Sequence, residues 1–201
     1  MTWVKICGLC RPADAELALS LGATHLGCVV ADDSPRRCGL RELFTIRTMA
    51  RGRASFVLVV RGMQPGPLRE LSRRCAADLV QWHGIAAAGE DLLAAELPLL
   101  RVRQVEAGDD RLPDTSLATA TAPMLLDGGR GGAGVGFPWH RLPVPGPAHT
   151  FVAGGITPDN VGALLARSPW GIDVASGVES APGHKDAGAL RALFEQVEVR
   201  A

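Results

Sequence analysis

Short apolar runs that alternate with longer amphipathic segments constrain the fold of this chain most strongly. The first three pairs are "WVKIC" with "PADAELALSLG", "HLGCVV" with "LRELFTIRTMAR", and "SFVLVV" with "PGPLRELSRRCA". The first member of each pair has the composition of a buried strand, and the second has helical periodicity. Five further apolar runs bring the predicted strands to eight: "DLVQW", "LLRVRQV", "PMLLD", "HTFVAG" and "GIDVAS". The sequence therefore predicts repeated strand–helix units.

Strands that are apolar on both faces, each followed by a helix, predict a parallel sheet covered by helices. Eight such units close naturally into a barrel, so the predicted fold class is α/β, a (β/α)8 TIM barrel. The 201 residues leave about 25 residues for each unit, which is compact beside the roughly 250 residues of a typical barrel of this kind. We therefore expect residues 1–201 to form a single domain.

Glycine and proline refine this outline. Pro12 and Pro158 are predicted in the first turns of helices, where a missing N–H leaves no bond unmade, and Gly22 is predicted to stop a helix. A short helix is expected near residues 88–97 and a weaker one near residues 110–119. The three prolines of "RLPVPGPAH" predict a loop that replaces or trims the sixth helix.

Charge and cysteine content argue against several classes of protein. The 21 basic and 21 acidic residues give a formal net charge of zero, with no basic stripe, so no nucleic-acid partner is expected. The N-terminus lacks a signal-peptide pattern and no apolar stretch could cross a bilayer, which predicts a cytoplasmic protein with no membrane partner. The odd number of cysteines, five, favours a reducing compartment, and the scattered histidines predict no metal site.

Two cysteines in the opening segment "VKICGLC", Cys7 and Cys10, allow three interpretations. They are a redox pair, a metal clip, or one working thiol with a neighbour. A metal site would need a second cluster of Cys or His, and a redox pair would need a thioredoxin-like sheet with fewer strands. Because an isolated cysteine is more often a small buried hydrophobe than a nucleophile or base, residue chemistry alone leaves the role of Cys7 open.

Glycines cluster after the last two predicted strands, in "AGGIT" and "ASGVES". Each of Gly154, Gly155 and Gly177 alone predicts no more than a tight turn. Together with Ser176 they occupy the end of a barrel where loop amides commonly bind a phosphate, because glycine lets the backbone approach the oxygens. The combination favours a phosphate site.

The segment after the sixth predicted strand joins Asp127 to a glycine-rich stretch. "GGRGGAG" matches the dinucleotide pattern G-x-G-x-x-G, but no well-formed helix follows it and no acidic residue stands about 20 positions further on. We therefore expect a flexible lid next to Asp127 instead of a nucleotide site. Asp127 itself is either a turn former, as Asp before Gly often is, or a functional carboxyl group at a strand end.

Several of these motifs, in order and over nearly the whole chain, resemble those of the phosphoribosylanthranilate isomerase family. They are "KICGL", "SPR", "QWHG", "LLDGG" with "GAG" and "FPW", "VAGGITPDNV" and "GIDVASGVESAPGHKD". The resemblance implies a barrel of the ribulose-phosphate-binding type that acts without a metal or an organic cofactor. The implied activity belongs to tryptophan biosynthesis. It converts N-(5-phosphoribosyl)anthranilate to 1-(2-carboxyphenylamino)-1-deoxyribulose 5-phosphate by an Amadori rearrangement.

The same resemblance implies roles for individual residues. It makes Cys7 the general base and Asp127 the general acid, and it puts Arg36 at the anthranilate end of the substrate. The phosphate would bind at the loops that contain Gly154, Gly155, Ser176 and Gly177. Cys10 falls where the family often has threonine. A small phosphorylated molecule is thus the expected partner, and the protein is expected as a monomer or a homodimer.

Departures from the family pattern leave alternatives open. Ala133 stands where the family usually has threonine, so a hydroxyl that could fix the lid is absent. Leu58 and Val60 replace residues of the family's third strand and are expected to repack. The alternatives are another sugar-phosphate barrel enzyme, a catalytically silent ligand-binding relative and, more remotely, a thiol-redox protein.

Overall fold

The computed structural model describes residues 2–83, 90, 93–106, 111–128 and 136–197. Eight strands form a closed barrel in the order of the chain, and every pair of neighbours is parallel. The strands are β1 Trp3–Cys7, β2 His25–Val30, β3 Ser55–Arg61, β4 Leu79–His83, β5 Leu99–Gln104, β6 Met124–Asp127, β7 Thr150–Ala153 and β8 Gly171–Val174. The predicted eight-stranded α/β barrel is confirmed, whereas the single domain over residues 1–201 stays a prediction.

Five α-helices have described bounds, and most of them follow a strand of the barrel. They are α1 Pro12–Ser20, α2 Leu40–Ala50, α3 Pro65–Cys75, α4 Val161–Leu165 and α5 Ala187–Gln196. Two short 3₁₀ helices lie at Trp139–Arg141 and Ser176–Val178. After β8 the chain also forms a small antiparallel hairpin, β9 Glu179–Ala181 with β10 His184–Lys185, which the sequence did not predict.

Successive side chains along each strand point alternately toward the helices and into the barrel, which divides the buried side chains into two groups. Val4 and Ile6 of β1 belong to the apolar layer between the strands and the helices. Cys7 belongs to the group inside the barrel, together with apolar residues such as Val57 and Phe151. Because side chains alternate along a strand, Lys5 points into the barrel as Cys7 does. The interior of the barrel is thus apolar with a few charged groups near β1.

Aromatic rings fill the N-terminal end of the barrel. The ring centroids of Trp3 and Trp170 lie 5.7 Å apart, and those of His25 and Phe151 lie 4.9 Å apart. Burial lowers the pKa of His25 to about 4, with a further contribution from the charge of Lys5. The ligand-accessible end of the barrel is therefore the opposite one, at the C-terminal ends of the strands.

Several local predictions are confirmed and two are wrong. Pro12 begins α1, and Gly22 lies just after it with a φ of 101°. Pro158 does not lie in a helical first turn, because α4 begins only at Val161. The backbone N–H of Thr157 donates to Asn160 Oδ1 at 2.8 Å instead, which forms a side-chain turn before the helix.

The weaker helix expected near residues 110–119 is also wrong for residues 111–119, which contain no helix. Asp114 accepts a hydrogen bond from the N–H of Ser116 at 2.8 Å, which favours a turn over a helix. Of the helix expected near residues 88–97, Glu90, Leu93 and Ala94 are helical and residues 95–97 are not, while residues 88, 89, 91 and 92 lie outside the described residues. The proline-rich stretch "RLPVPGPAH" is irregular apart from the end of the 3₁₀ helix at Trp139–Arg141, as predicted.

Candidate active site

A pocket opens at the C-terminal end of the barrel, and all seven predicted site residues line it. They are Cys7, Arg36, Asp127, Gly154, Gly155, Ser176 and Gly177. Cys7 is the last residue of β1 and Asp127 the last residue of β6. Strand β6 is the third strand from β1 when the barrel is followed through β8 and β7. The thiol and the carboxyl group therefore approach the same space from well-separated strands.

Cys7 is buried beneath this pocket, with 8 % of its surface exposed. Its partner in the register of β2 is Gly27. A Cβ atom on that glycine would lie 3.0 Å from Cys7 Sγ, so the absence of a side chain there gives the thiol its room. Two positions earlier on β1, Lys5 Nζ donates to Asp173 Oδ2 at 2.8 Å.

The protonation state of Cys7 follows from opposing effects. Burial raises the pKa of the Cys7 thiol above its ordinary value of 9.0, and the negative charge of Asp173 raises it further. The positive charges of Lys5 and Lys185 lower this pKa without fully offsetting burial. Cys7 of the free protein is consequently a thiol at neutral pH, and formation of a thiolate depends on nearby positive charge.

Arg36 is held in place by Glu179, a carboxylate that sequence reasoning missed. Arg36 Nε lies 3.0 Å from both carboxylate oxygens, and Nη2 lies 2.8 Å from Oε2. Arg36 also packs on Gly8, where a Cβ atom would lie 2.7 Å from Arg36 Cδ. Among the described residues none accepts a hydrogen bond from Arg36 Nη1. The guanidinium is thus fixed on one side while Nη1 is available to a ligand.

Lys185 completes this ionic cluster from the hairpin after β8. Its Nζ lies 2.9 Å from Glu179 Oε1 and 2.9 Å from the carbonyl oxygen of Ala175. Burial would raise the pKa of Glu179, but hydrogen bonding to Arg36 and the charge of Lys185 lower it below its ordinary value. Glu179 is therefore ionised at neutral pH. The available signal was the charged pattern of "GVESAPGHKD", which does not by itself indicate a partner for Arg36.

The loops after β7 and β8 pack closely against each other. Gly154 and Gly155 have φ values of 100° and 64°, a region of backbone conformation that favours glycine. A Cβ atom on Gly177 would lie 1.8 Å from the carbonyl oxygen of Ile156. Asn160 braces the first loop, because its Nδ2 donates to the carbonyl oxygen of Gly155 at 2.8 Å. Sequence reasoning missed Asn160, for which the only signal was the turn-like "TPDN".

Replacing Gly177 with alanine is expected to separate these two loops. The new methyl group cannot occupy the space of the Ile156 carbonyl, so the backbone must shift, and such overpacking typically destabilises a protein by about 1–3 kcal/mol. Thermal unfolding and the affinity for inorganic phosphate measure the two effects. Gly66→Ala is the matched control, since a Cβ there has no atom within 4 Å in helix α3. Unchanged phosphate affinity in Gly177→Ala would contradict a phosphate site at this junction.

Cys10 lies beside the Arg36 segment, with its Sγ donating to the carbonyl oxygen of Arg36 at 3.1 Å. All five cysteines are free thiols.

Within the described ranges no three side chains of the His, Cys, Asp and Glu types are grouped so that they could hold a metal ion. Residues 129–135, which contain Ala133 and all of the predicted lid except Gly128, lie outside the described residues. In the described part of the chain no helix combines the length and the apolar character needed to cross a membrane.

Comparison with known proteins shows which protein family this barrel belongs to. A family model described as N-(5'phosphoribosyl)anthranilate (PRA) isomerase matches residues 4–196. The chain belongs to this family. An N-(5'-phosphoribosyl)anthranilate isomerase of Xanthomonas campestris pv. campestris is 35% identical over an alignment 209 residues long. The alignment covers 98% of this chain and 93% of the relative. The isomerase of Leptothrix cholodnii is 36% identical over 204 residues, covering 98% and 90%.

Solved structures of the phosphoribosylanthranilate isomerase family have the same fold. The phosphoribosyl anthranilate isomerase of Thermus thermophilus matches with a TM-score of 0.80 and 32% identity, covering 97% of this chain and 98% of that one. A phosphoribosyl anthranilate isomerase in complex with reduced 1-(o-carboxyphenylamino)-1-deoxyribulose 5-phosphate matches with a TM-score of 0.76. Its 22% identity makes it a likeness of fold alone. The family resemblance drawn from "KICGL" and the later motifs is confirmed.

Proposed function

We propose that this protein converts N-(5-phosphoribosyl)anthranilate to 1-(2-carboxyphenylamino)-1-deoxyribulose 5-phosphate by acid–base catalysis. The observation that carries this proposal is the convergence of Cys7 and Asp127 on one pocket that the two glycine-rich loops also line. The rearrangement moves hydrogen within a single molecule and needs only protons, so the proposal includes no metal or organic cofactor. Membership of the isomerase family supports the choice of substrate.

The two ends of the pocket differ in chemistry and orient the substrate. The phosphate binds to the loop backbone around Gly154, Gly155, Ser176 and Gly177, where glycines permit close approach of the oxygens. The carboxylate of the anthranilate binds Arg36, whose Nη1 is directed away from the Glu179 pair. Between these ends the sugar lies against Cys7 and Asp127.

Asp127 acts as the general acid in the first step. Its protonated carboxyl group donates a proton to the oxygen of the furanose ring, the C1–O bond breaks, and the nitrogen lone pair forms an iminium with C1. This arrangement requires a carboxyl group at the mouth of the barrel near the ring oxygen. Asp127 ends β6 at the pocket and is buried, with 6 % of its surface exposed.

Cys7 acts as the general base in the second step. Its thiolate removes the proton from C2, the C–H electrons form the C1–C2 double bond, and the iminium electrons return to nitrogen. The resulting enolamine tautomerises to the ketone. The positive iminium next to C2 also stabilises the thiolate, which helps because burial raises the pKa of Cys7.

The role of Arg36 predicts the effect of Glu179→Gln. The amide keeps the shape of the side chain and removes the charge that holds the guanidinium, so Arg36 loses its fixed orientation. We expect the KM to rise roughly tenfold, the loss of about one charge-assisted hydrogen bond, with a smaller change in kcat. Glu70→Gln makes the same change in an exposed ion pair with Arg73 and should leave both constants unchanged. Equal KM values for all three proteins would remove Glu179 from substrate binding.

Genetic complementation tests the proposed activity. The gene is expressed in a bacterial strain that lacks its own phosphoribosylanthranilate isomerase, on medium without tryptophan. We expect growth with the native chain and none with a Cys7→Ser/Asp127→Asn variant that accumulates to the same level. Failure of the native chain to support growth would favour the alternatives, another sugar-phosphate enzyme or a silent ligand-binding relative.

A further inference from the structure

A fully buried lysine lies inside the barrel directly below the proposed base. Lys5 has no exposed surface, and its Nζ forms an ion pair with Asp173 at 2.8 Å. The two residues are register partners on β1 and β8. A lysine is almost never fully buried unless it is paired, and apolar residues of similar volume often stabilise a core as well or better. A contribution to stability is therefore a weak explanation for the presence of a buried Lys5–Asp173 pair.

Lys5 is placed to act on Cys7. The two side chains are separated by one residue on β1 and point to the same face, about 6.5 Å apart along the strand. The long Lys5 side chain extends from the same face of β1 as Cys7, its ammonium group donates to Asp173 at 2.8 Å, and its positive charge lowers the pKa of the Cys7 thiol. A donor with full positive charge next to a thiol in an apolar barrel favours the ionised sulfur.

Other titratable groups near Cys7 do not replace Lys5. Lys185, from β10, also lowers the pKa of Cys7, but by less than Lys5 does. His25 and His83 feel the charge of Lys5, and burial lowers the pKa of each to about 4, so both are neutral at physiological pH. Cys28 lies on the outer face of β2 and contributes no positive charge.

We infer that the Lys5–Asp173 pair is a positioning device for the base: Lys5 stabilises the thiolate of Cys7, and Asp173 fixes the Lys5 ammonium group. Lys5 stays protonated throughout and takes no proton from the thiol. Asp173 keeps the charge on a lysine that burial would otherwise neutralise. The inference rests on the proposed role of Cys7 as base. It deepens that role by naming the residues that make a buried thiol usable.

The contributions to the pKa of Cys7 determine whether replacing Lys5 and Asp173 raises or lowers that pKa. Burial raises this pKa and the positive charge of Lys5 lowers it. The negative charge of Asp173 raises it, but by less than the charge of Lys5 lowers it. Removing both members of the pair should therefore raise the pKa of Cys7. The thiolate fraction at a fixed pH below that pKa would fall tenfold for each unit of the rise.

The test is the rate of alkylation of Cys7 in the variant Lys5→Met/Asp173→Asn. This double change keeps the shapes of both side chains and leaves no unpaired buried charge, so the barrel is expected to fold. Iodoacetamide is the probe, and mass spectrometry of the peptide that contains Cys7 gives its rate from pH 6 to pH 10. The half-buried Cys10 is the internal control, because burial raises its pKa to about 11 and Lys5 is not among the causes.

We expect Cys7 alkylation at a given pH to be at least tenfold slower in the variant, with the Cys10 rate unchanged. The pH profile of kcat should shift upward by the same amount, a change that a purely structural role would not produce. Equal Cys7 rates in both proteins at every pH would overturn the inference. If the double variant does not fold, Lys5→Gln removes the charge while retaining a hydrogen bond to Asp173 and must slow Cys7 alkylation in the same way.

Different experiments test the role of Lys5 and the proposed function, so one can be overturned while the other stands. Alkylation measures the thiol without any substrate, so a change in its rate is informative even in a protein that lacks turnover. Normal turnover in Cys7→Ser would remove the base role and leave a measured effect of Lys5 on the thiol intact. Unchanged alkylation together with an inactive Cys7→Ser variant would keep the base and overturn the role of Lys5.

Discussion

Replacing Asp127 with asparagine is expected to abolish turnover and to preserve most of the substrate binding. Asparagine keeps the size and shape of the side chain at the end of β6, but it has no acidic proton to give to the ring oxygen. The phosphate loops and Arg36 still hold the two ends of the ligand. General-acid catalysis contributes about 100-fold to 10,000-fold, and the loss of a transition-state interaction lowers kcat instead of affinity.

Two measurements separate this result from a structural effect. Steady-state kinetics, by the fall in substrate fluorescence, gives kcat, and calorimetry with the reduced, unreactive product analogue gives the affinity. Asp114→Asn is the control, since that exposed carboxylate lies in a surface turn, where an amide oxygen can still accept from Ser116. If affinity for the analogue fell along with kcat in Asp127→Asn, Asp127 would be organising the neighbouring loop and not donating a proton.

The second large effect is expected for Cys7→Ser. A serine hydroxyl is far less acidic than a thiol, so it cannot serve as the anionic base that removes the C2 proton. The fold should persist, because the change is small and Gly27 leaves room beside the side chain. We expect kcat to fall by at least about 100-fold, the usual effect of losing a general base.

The control for this prediction makes the same thiol-to-hydroxyl change away from the pocket. Cys75 is buried at the end of α3, and its Sγ donates to the carbonyl oxygen of Ser72 at 3.6 Å, a bond that a hydroxyl can keep. Cys75→Ser should therefore fold and turn over normally. Turnover of Cys7→Ser close to that of Cys75→Ser would exclude Cys7 from the chemistry.

The barrel and the positions of Cys7 and Asp127 could be predicted because both depend on local sequence order, whereas the catalytic roles of the two residues came from the family resemblance. Apolar runs of strand length identify β1 to β8, and the residue that ends each strand faces the C-terminal end of a barrel. Cys7 and Asp127 satisfy that condition directly. Gly177 was likewise predicted at the phosphate loops, and its contact with Ile156 gives a physical reason for glycine.

The ionic partners could not be predicted because they join distant parts of the chain. Lys5 meets Asp173 only through the closure of the barrel between β1 and β8. Glu179 reaches Arg36 because the hairpin after β8 folds back toward the loop after β2. The sequence did not identify a partner for any of these four charged residues. Their partners depend on register and on an irregular hairpin, neither of which has a periodic signal.

The helix predicted near residues 110–119 was wrong for a local reason. Asp114 and Ser116 can bond their own backbone, and that turn competes with a helix over a short segment with little apolar periodicity. Likewise, Asn160 rather than Pro158 decides where α4 begins, because its side chain accepts the N–H of Thr157.

The central claim is that Cys7 and Asp127 together isomerise phosphoribosylanthranilate, and direct turnover by the purified protein tests it. The protein is prepared from a host that lacks its own isomerase, and freshly made substrate is added at pH 7.5. We expect rapid loss of substrate fluorescence with matching formation of the aminoketose phosphate, and no catalysed rate with Cys7→Ser/Asp127→Asn. A native protein that forms no aminoketose phosphate, or a double variant that forms it at the native rate, would contradict the account.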